Sequence, residues 1–207
     1  MSTIKLYRHP LSGHSHRVEL MLSMLGLDAE IIDIDLMKGE HKQAEFLSKN
    51  RFGQVPLLED GGRFIADSNA ILVYLAKKYD SSGRLLPAEP ENATAVQHML
   101  SLAAGPVASG PAAARLITLF GAGYDVEATI NNAHSILQCM NSLLEGRDWL
   151  VGEDVTIADI ANYAYIAHAP EGNVALTDYP HIVRWLDRIE ALPRFVPMQK
   201  STVGLAA

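Results

Sequence analysis

The sequence predicts an α+β protein in which a mixed domain of strands and helices precedes an all-helical domain. Within the first 80 residues, short apolar runs alternate with helical spacings in the order βαβαββα, whereas only helical patterns follow. Between the two parts, the stretch DSSGRLLPAEPEN contains two prolines, a glycine and three serine or asparagine residues, a composition typical of a linker. We therefore predict a mixed domain over residues 1–80, a linker over 81–90 and an all-helical domain over 91–207.

Each element of the mixed domain follows from a local pattern. Val18, Met21 and Leu25 have the spacing of one helical face, and two apolar runs joined by Asp60-Gly61-Gly62 predict a β-hairpin. Asp67 and Ser68 are residues that commonly cap a helix, so we expect the next helix to begin there. The predicted elements, in chain order, are a strand over 3–7, a helix over about 14–25, a strand over 29–35, a short helix over 41–48, a hairpin over 57–66 and a helix ending near Tyr79.

The second domain shows helical patterns over about 93–120, 125–145, 156–168 and 180–192. The steps Gly105-Pro106 and Gly110-Pro111 fall inside the first of these patterns. Because proline removes a backbone donor and clashes with the preceding turn, we expect this helix to kink or break. Thr156 and Asp159 predict a variant of the capping box at the start of the third helix.

Composition and charge argue against several classes of partner. The 207 residues carry a formal charge of −7 with no basic stripe, so we expect no nucleic-acid partner. No run reaches the ~18 apolar residues of a spanning helix and the N-terminus has no apolar leader, which predicts a cytoplasmic protein without a membrane partner. The single cysteine, Cys139, lies among apolar residues at helical spacing, and we expect it to be packed in the core.

The chemistry-bearing segment is the loop His9–Arg17, between the first predicted strand and the first helix. With a Val55-Pro56 step before the third strand, this order of elements is the pattern of a thioredoxin-like domain, but the loop has no Cys-x-x-Cys. A serine hydroxyl cannot replace a thiolate, so the protein needs a borrowed thiol. A hydroxyl and a helix N-terminus aimed at such a thiol would lower its pKa from about 8.5 toward neutrality.

Nearly the whole chain resembles the glutathione S-transferase family, in particular serine-type, phi- or theta-like bacterial members. The resemblance rests on the loop HPLSGHSHRV, the stretch GEHKQAEFLSKNRFGQVPLLEDG over residues 39–61, the acidic-Ser motif at Asp67-Ser68 and the C-terminal capping motif at 156–159. Arg51 stands where a proline usually precedes Phe-Gly-Gln-Val-Pro, and Asp67 stands where phi members commonly have glutamate.

The resemblance implies a role for individual positions. Ser12, five residues before Arg17, corresponds to the residue that donates a hydrogen bond to the glutathione sulfur. The other glutathione contacts it implies are His41 and Lys42 at the glycine carboxylate, Gln54 and Val55 beside the cysteinyl backbone with Pro56 as the cis-proline, and Asp67 and Ser68 at the γ-glutamyl end. For the pocket that holds the electrophile we expect Leu11, Arg115, Leu119 and Tyr163.

Simpler interpretations stand beside these roles. Ser12 can be a helix cap and nothing more, and Ser15 is a second hydroxyl three residues on, although the spacing favours Ser12. Asp67 can equally be used to cap its own helix. His14 and His16 lie two apart on a helix and point away from each other, so we predict no metal site. We expect Tyr7, at the end of the first strand, to be a core residue or to lie behind the residues of the site.

The resulting expectation is a detoxifying glutathione transferase that joins the glutathione thiolate to a hydrophobic electrophile. It implies glutathione as co-substrate with no resident cofactor, and the resemblance also implies a homodimer. Two alternatives remain open at this point. One is glutathione-dependent reduction of disulfides or peroxides by the same activated thiolate, and the other is a non-catalytic protein that binds glutathione or apolar ligands.

Overall fold

The computed structural model describes residues 4–207, and its first part is built on a four-stranded mixed sheet. The strands are β1 (Ile4–Arg8), β2 (Ala29–Asp33), β3 (Leu57–Asp60) and β4 (Arg63–Ala66), and the helices are α1 (Gly13–Met24), α2 (Ala44–Lys49) and α3 (Ser68–Tyr79). A 3₁₀ turn at Glu40–Lys42 precedes α2. The order βαβαββα predicted from the sequence is confirmed.

The sheet has the strand order β2-β1-β3-β4, with β1 parallel to β2 and antiparallel to β3. Leu6 pairs with Ile31 on one side and with Leu58 on the other. Leu6 and Leu58 are fully buried, and α1 and α3 contribute buried apolar residues such as Val18 and Ile71. This core fixes the end of β1 and the start of α1, which is where the chemistry-bearing loop lies.

The second strand is shorter than predicted. It ends at Asp33 instead of residue 35 because Asp35 begins a turn, in which its Oδ1 accepts hydrogen bonds from the amides of Met37 and Lys38, each at 3.0 Å. Aspartate commonly closes such turns with its own side chain.

Tyr7 is buried as expected, and its hydroxyl donates to Glu59 at 2.9 Å.

The remainder of the chain is helical, and the break predicted in its first helix is present. Its helices are α4 (Pro90–Ala104), α5 (Ala113–Phe120), α6 (Val126–Leu143), α7 (Ile157–Ala167) and α8 (Pro180–Glu190). Between α4 and α5, Ala108–Ala112 form a π-helical segment that contains Pro111. A Cβ built on Gly110 would lie 3.0 Å from the Cα of Ala133, so glycine here permits the close approach of α6.

Contacts divide the chain into two compact units. One consists of the residues up to Ser81 together with Pro193–Gln199, and the other of Ser82–Leu192 together with Lys200–Ala207. The prediction of a helical domain over 91–207 did not anticipate that Pro193–Gln199 would pack with the first unit. This segment is held by its main chain: Ser23 donates to the carbonyl of Arg194 at 2.7 Å, and the His16 ring bonds the carbonyl of Val196 at 2.8 Å. Such contacts leave no periodic signal in the sequence.

The expectation that Cys139 is packed in the core is wrong. The side chain is exposed, whereas the buried face of α6 consists of Ala133, Leu137 and Met140. Those three residues recur at helical spacing, and Cys139 follows Leu137 by two positions, which places it on the opposite side of the helix. Within residues 4–207, no helix is both long and apolar enough to cross a membrane.

Candidate functional site

The loop between β1 and α1 ends in Ser12, which is the N-cap of α1. Its Oγ accepts a hydrogen bond from the Ser15 amide at 3.2 Å, and its own amide donates to the carbonyl of His9 at 2.9 Å. The first amides of a helix have no partner within the helix, and a side-chain oxygen at the N-cap supplies one. The loop is therefore fixed by the same contacts that begin the helix.

The capping bond uses a lone pair of the Ser12 hydroxyl and leaves its hydrogen free to be donated. A hydroxyl offers one donor and two acceptor sites, so capping and donation to an anion are compatible. Ser12 is half-buried, and it stands at the end of α1 where the helix dipole is positive. The group can thus donate to a negatively charged atom that approaches the helix from outside.

Ser15, the second hydroxyl of this loop, faces the interior. Its relative exposure is 0%, and its Oγ accepts a hydrogen bond from the amide of His9 at 3.3 Å. A ligand in the solvent-accessible part of the loop meets Ser12 and not Ser15. The structure gives Ser15 the task of holding the loop that presents Ser12.

Arg17, one turn further along α1, connects this helix with the start of α3. Its guanidinium is buried, and Nη1 lies 2.9 Å from His14 Nδ1, 3.0 Å from Ser68 Oγ and 3.3 Å from Asn69 Oδ1. Burial and, to a lesser extent, the charge of Arg17 lower the pKa of His14 to about 3. The imidazole is therefore neutral at physiological pH, with Nδ1 as acceptor and the proton on Nε2.

Asp67 and Ser68 begin α3 and have different environments. Asp67 is exposed, and its Oδ1 caps the helix by accepting from the Ala70 amide at 2.9 Å. Its φ of 71° lies in the left-handed region, which aspartate adopts more readily than most residues. Ser68 is buried, with its hydroxyl also 3.3 Å from His14 Nδ1. The capping interpretation of Asp67 is confirmed, and the cap uses one of its two carboxylate oxygens.

The loop that joins α2 to β3 is held by the side chains of Asn50 and Lys42. Asn50 Nδ2 donates to the carbonyl of Gln54 at 2.8 Å, and Lys42 Nζ donates to the carbonyl of Gly53 at 2.9 Å. Gly53 has a φ of 57°, and a Cβ there would lie 2.7 Å from the carbonyl oxygen of His41, so no other residue fits this position. Lys42 therefore holds this loop in place, in addition to any contact that it makes with a ligand.

The loop ends in a cis peptide bond between Val55 and Pro56, as the resemblance implies. Within residues 4–207, the main-chain amide and carbonyl of Val55 have no hydrogen-bond partner, whereas Leu57, Leu58 and Glu59 of the strand that follows pair with β1. Gln54 is exposed beside it. An extended ligand backbone could pair with Val55 in the manner of a short β-strand.

His41 adds a polar group at the other side of this loop. The residue is half-buried, and its Nδ1 is inaccessible to solvent and has no hydrogen-bond partner within the described residues. Burial, together with the neighbouring charge of Lys42, lowers the pKa of His41. A neutral ring with its proton on Nε2 avoids a buried unpaired N–H, and it leaves Nε2–H as a donor toward a ligand.

Sequence comparisons assign this architecture to a family. Residues 2–77 match the family model described as glutathione S-transferase, N-terminal domain, and residues 125–193 match the corresponding C-terminal domain. The chain belongs to the glutathione S-transferase family. A curated relative, glutathione S-transferase 3 of Zea mays, is 35% identical over 209 residues, which covers 94% of this chain and 92% of the relative.

Solved structures agree with the assignment of this transferase. A glutathione S-transferase from Pseudomonas fluorescens superimposes with a TM-score of 0.89 at 34% identity, covering 96% of this chain and all of the other. A homologue from Drosophila mojavensis, solved with bound glutathione, gives a TM-score of 0.86 at 29% identity and covers 93% and 90% of the two chains. The protein is therefore a glutathione transferase, of a family that uses glutathione as co-substrate.

The residues expected to line the electrophile pocket of the transferase have varied environments. Arg115 is buried, with its Nε 2.6 Å from Glu171 Oε2, and Tyr163 is buried with its hydroxyl 2.8 Å from Glu190 Oε1. Both are thus engaged inside the helical unit, and their part in the electrophile pocket stays a prediction. Leu11 and Leu119 are each half-buried.

Sequence reasoning missed two residues of the transferase, Arg17 and Asn50, whose side chains hold the elements around the site in place. Arg17 was used only to count the position of Ser12, and Asn50 was not considered at all. A charged or amide side chain at an otherwise apolar helical or loop position is the signal that could have found them, because such a group must have polar partners when it is buried. Within residues 4–207, there is no group of three or more His, Cys, Asp or Glu side chains able to hold a metal ion.

Proposed function

We propose that this transferase activates glutathione through Ser12 and joins its sulfur to a hydrophobic electrophile. The observation that carries the proposal is the N-cap geometry of Ser12, in which Oγ accepts from the Ser15 amide at 3.2 Å and the hydroxyl hydrogen is left to donate. A hydrogen bond to the thiolate, aided by the positive end of α1, favours the charged form of the thiol. The thiol pKa then falls below its usual value of about 8.5.

The reaction that follows needs no protein nucleophile. The thiol proton is released to solvent, and the sulfur lone pair forms a bond to an electrophilic carbon while a leaving group departs or a double bond shifts. Ser12 keeps its proton throughout and stabilises negative charge on the sulfur. Leu11, which precedes Ser12 and is half-buried, is suited to contact an apolar electrophile.

Each charged group of glutathione is assigned to protein groups that can bind it: hydrogen-bond donors for the carboxylates and a carboxylate for the ammonium. We assign its glycine carboxylate to Lys42 Nζ and the His41 Nε2–H, since an ammonium and an N–H both donate to carboxylates. For the cysteinyl backbone we assign the free main-chain groups of Val55 and the side chain of Gln54, with Pro56 fixing the turn. The γ-glutamyl carboxylate suits Ser68 at the N-terminus of α3, and its ammonium suits Asp67.

The test is an ultraviolet titration of the thiolate of glutathione bound to the purified protein. We expect a pKa well below ~8.5 in the unmodified protein and in Ser15→Ala, and a return toward that value in Ser12→Ala. Ser15→Ala is the matched control because it removes a hydroxyl of the same loop that faces the interior. An unshifted pKa in the unmodified protein would disprove the activation mechanism, and turnover of disulfides or hydroperoxides but of no electrophile would disprove conjugation.

We further propose that the transferase acts as a homodimer in the cytoplasm, in a detoxifying role. The support for the dimer within the chain is Phe52, a residue that is 79% exposed on a loop that Asn50 and Lys42 hold in place. A rigid exposed aromatic favours burial against a second protein surface. In sedimentation experiments we expect Phe52→Ser to weaken the dimer and Met37→Ser, at an equally exposed apolar position, to leave it intact. Monomers of the unmodified protein at micromolar concentration would contradict this.

A further inference from the structure

Arg17 is a buried cation, and its Nη1 contacts residues at the start of α3, where the γ-glutamyl end of glutathione is proposed to bind. The residue has a relative exposure of 1%, and its Nη1 approaches His14, Ser68 and Asn69. Taking a guanidinium out of water is costly, and an apolar side chain of similar size would pack without that cost. A role in stabilising the fold therefore does not by itself account for arginine here.

The distances around Nη1 determine how its hydrogens are shared. Nη1 carries two hydrogens, and the shorter contacts are those to His14 Nδ1 at 2.9 Å and to Ser68 Oγ at 3.0 Å. Because Arg17 donates to both acceptors, Ser68 Oγ receives a hydrogen bond and must direct its own hydrogen elsewhere. Without a ligand, that hydrogen faces His14 Nδ1 at 3.3 Å, whose single lone pair it must share with Arg17.

Donation by Arg17 makes the Ser68 hydrogen available to a ligand. If the Ser68 hydroxyl turns from His14 to a carboxylate, His14 Nδ1 still receives a hydrogen from Arg17 and is not left unsatisfied. A buried acceptor that loses its only donor would oppose this rearrangement. Arg17 removes that penalty, and it also adds a fixed positive charge beneath the N-terminus of α3, where an anion is favoured.

We propose that Arg17 is a positioning residue that selects the γ-glutamyl carboxylate of glutathione by orienting the Ser68 hydroxyl toward it. The inference rests on the proposed binding of that carboxylate at Ser68. It assigns to Arg17 no contact with the sulfur and no part in proton transfer. Its effect is confined to one end of the tripeptide, which makes it separable from the activation of the thiol by Ser12.

The test compares glutathione with 4-aminobutyryl-cysteinylglycine, which lacks only the γ-glutamyl carboxylate. We expect the unmodified protein to prefer glutathione in calorimetric binding, and Arg17→Met to weaken glutathione about tenfold with little change for the analogue. Arg17→Lys keeps the charge but lacks the planar guanidinium and has a shorter reach, so we expect an intermediate preference. It also serves as the test variant if Arg17→Met does not fold.

Two comparisons separate positioning from general loosening of α1. Arg8→Met breaks the contacts of Arg8 with Glu19 of α1 at 2.6 Å and with Asp33 at 2.8 Å, and we expect it to lower stability without changing the ligand preference. In a double-mutant cycle, Arg17→Lys and Ser68→Ala should be non-additive in glutathione binding, because they remove the same interaction.

The possible failures are distinguishable. If the unmodified protein binds glutathione and the analogue equally, the proposed site for the γ-glutamyl carboxylate is wrong and the role of Arg17 is lost with it. If the preference is present but survives in the Arg17 variants, or if Arg8→Met abolishes it equally, only the inference about Arg17 is overturned. Additive effects of Arg17→Lys and Ser68→Ala would also overturn it.

Discussion

At the scale of single residues, neighbouring groups of the same type have different tasks because burial separates them. Ser12 and Ser15 belong to one loop, yet Ser12 is half-buried with a free hydrogen and Ser15 is enclosed with its Oγ bonded to the His9 amide. The sequence spacing favours Ser12, which is also the more accessible of the two hydroxyls. His41 and Lys42 are likewise adjacent, but only Lys42 also supports the loop by donating to Gly53.

Lys42 provides a test at this scale. In Lys42→Met we expect glutathione binding to weaken by roughly 10- to 100-fold, the range for a charge-assisted hydrogen bond of about 1.5–3 kcal/mol. Binding of γ-glutamylcysteine, which lacks the glycine carboxylate, should change far less. Lys49→Met is the control, because Lys49 pairs with Glu45 at 3.0 Å and is not among the assigned glutathione contacts. Calorimetry of both ligands with both variants makes the measurement, and equal losses for the two ligands would show that Lys42 acts only on the loop.

At the scale of elements, the start of α7 combines a local capping box with hydrogen bonds to residues outside the helix. The predicted capping box is confirmed: Thr156 caps the helix, and Asp159 Oδ2 accepts from the Thr156 amide at 2.9 Å. Asp159 is fully buried, and its Oδ1 also accepts from the Leu150 amide and from the Trp185 indole, each at 2.9 Å. One carboxylate thereby joins α7 to the preceding loop and to α8.

Asp159 accordingly predicts a large effect on folding. Asp159→Ala leaves buried donors on three residues unsatisfied, and we expect it to lower the free energy of unfolding by roughly 3–5 kcal/mol or to prevent folding. Thr156→Ala removes the cap and retains the carboxylate, so its cost should be about 1 kcal/mol. Urea unfolding monitored by circular dichroism measures both, and equal costs would contradict the central position of Asp159.

At the scale of the whole molecule, each unit encloses ionisable groups. In the helical unit, Glu171 accepts from His168 at 2.7 Å, from Arg115 at 2.6 Å and from the amide of Ser201 at 3.0 Å. Burial lowers the pKa of His168 despite its bond to Glu171, and in the mixed unit burial lowers the pKa of His14 to about 3. Both rings are therefore neutral in the folded protein at neutral pH.

These histidines predict loss of stability in mild acid. Their pKa values in the folded protein lie below the unfolded value of about 6.5, so below that pH the unfolded chain binds protons that the folded protein does not. Stability is thus present at neutral pH and falls as the pH drops, by about 1 kcal/mol for His14 between pH 7.5 and 5.5. Urea unfolding at the two pH values should show a smaller difference in the free energy of unfolding for His14→Gln than for the unmodified protein. For His98→Gln, which alters an exposed ring, we expect this difference to be unchanged. An unchanged difference in His14→Gln would contradict the prediction.

The sequence by itself determined the order of elements, the break in the first long helix, the caps at Ser12, Asp67 and Thr156, and the family. These features depend on periodicity, proline and capping chemistry, which act over a few neighbouring residues. The γ-glutamyl and glycine ends of the proposed site could be assigned only through the resemblance, since no local pattern marks His41 or Ser68 as a ligand residue.

Only the tertiary structure decided which of these side chains are accessible and which are enclosed. It buried Ser15 and Arg17, engaged Arg115 and Tyr163 within the helical unit, exposed Cys139 and brought Pro193–Gln199 to the first unit. The physical reason is common to all of them. Burial and hydrogen-bond partners are supplied by elements tens of residues away, so the same local sequence is compatible with either outcome until those elements pack.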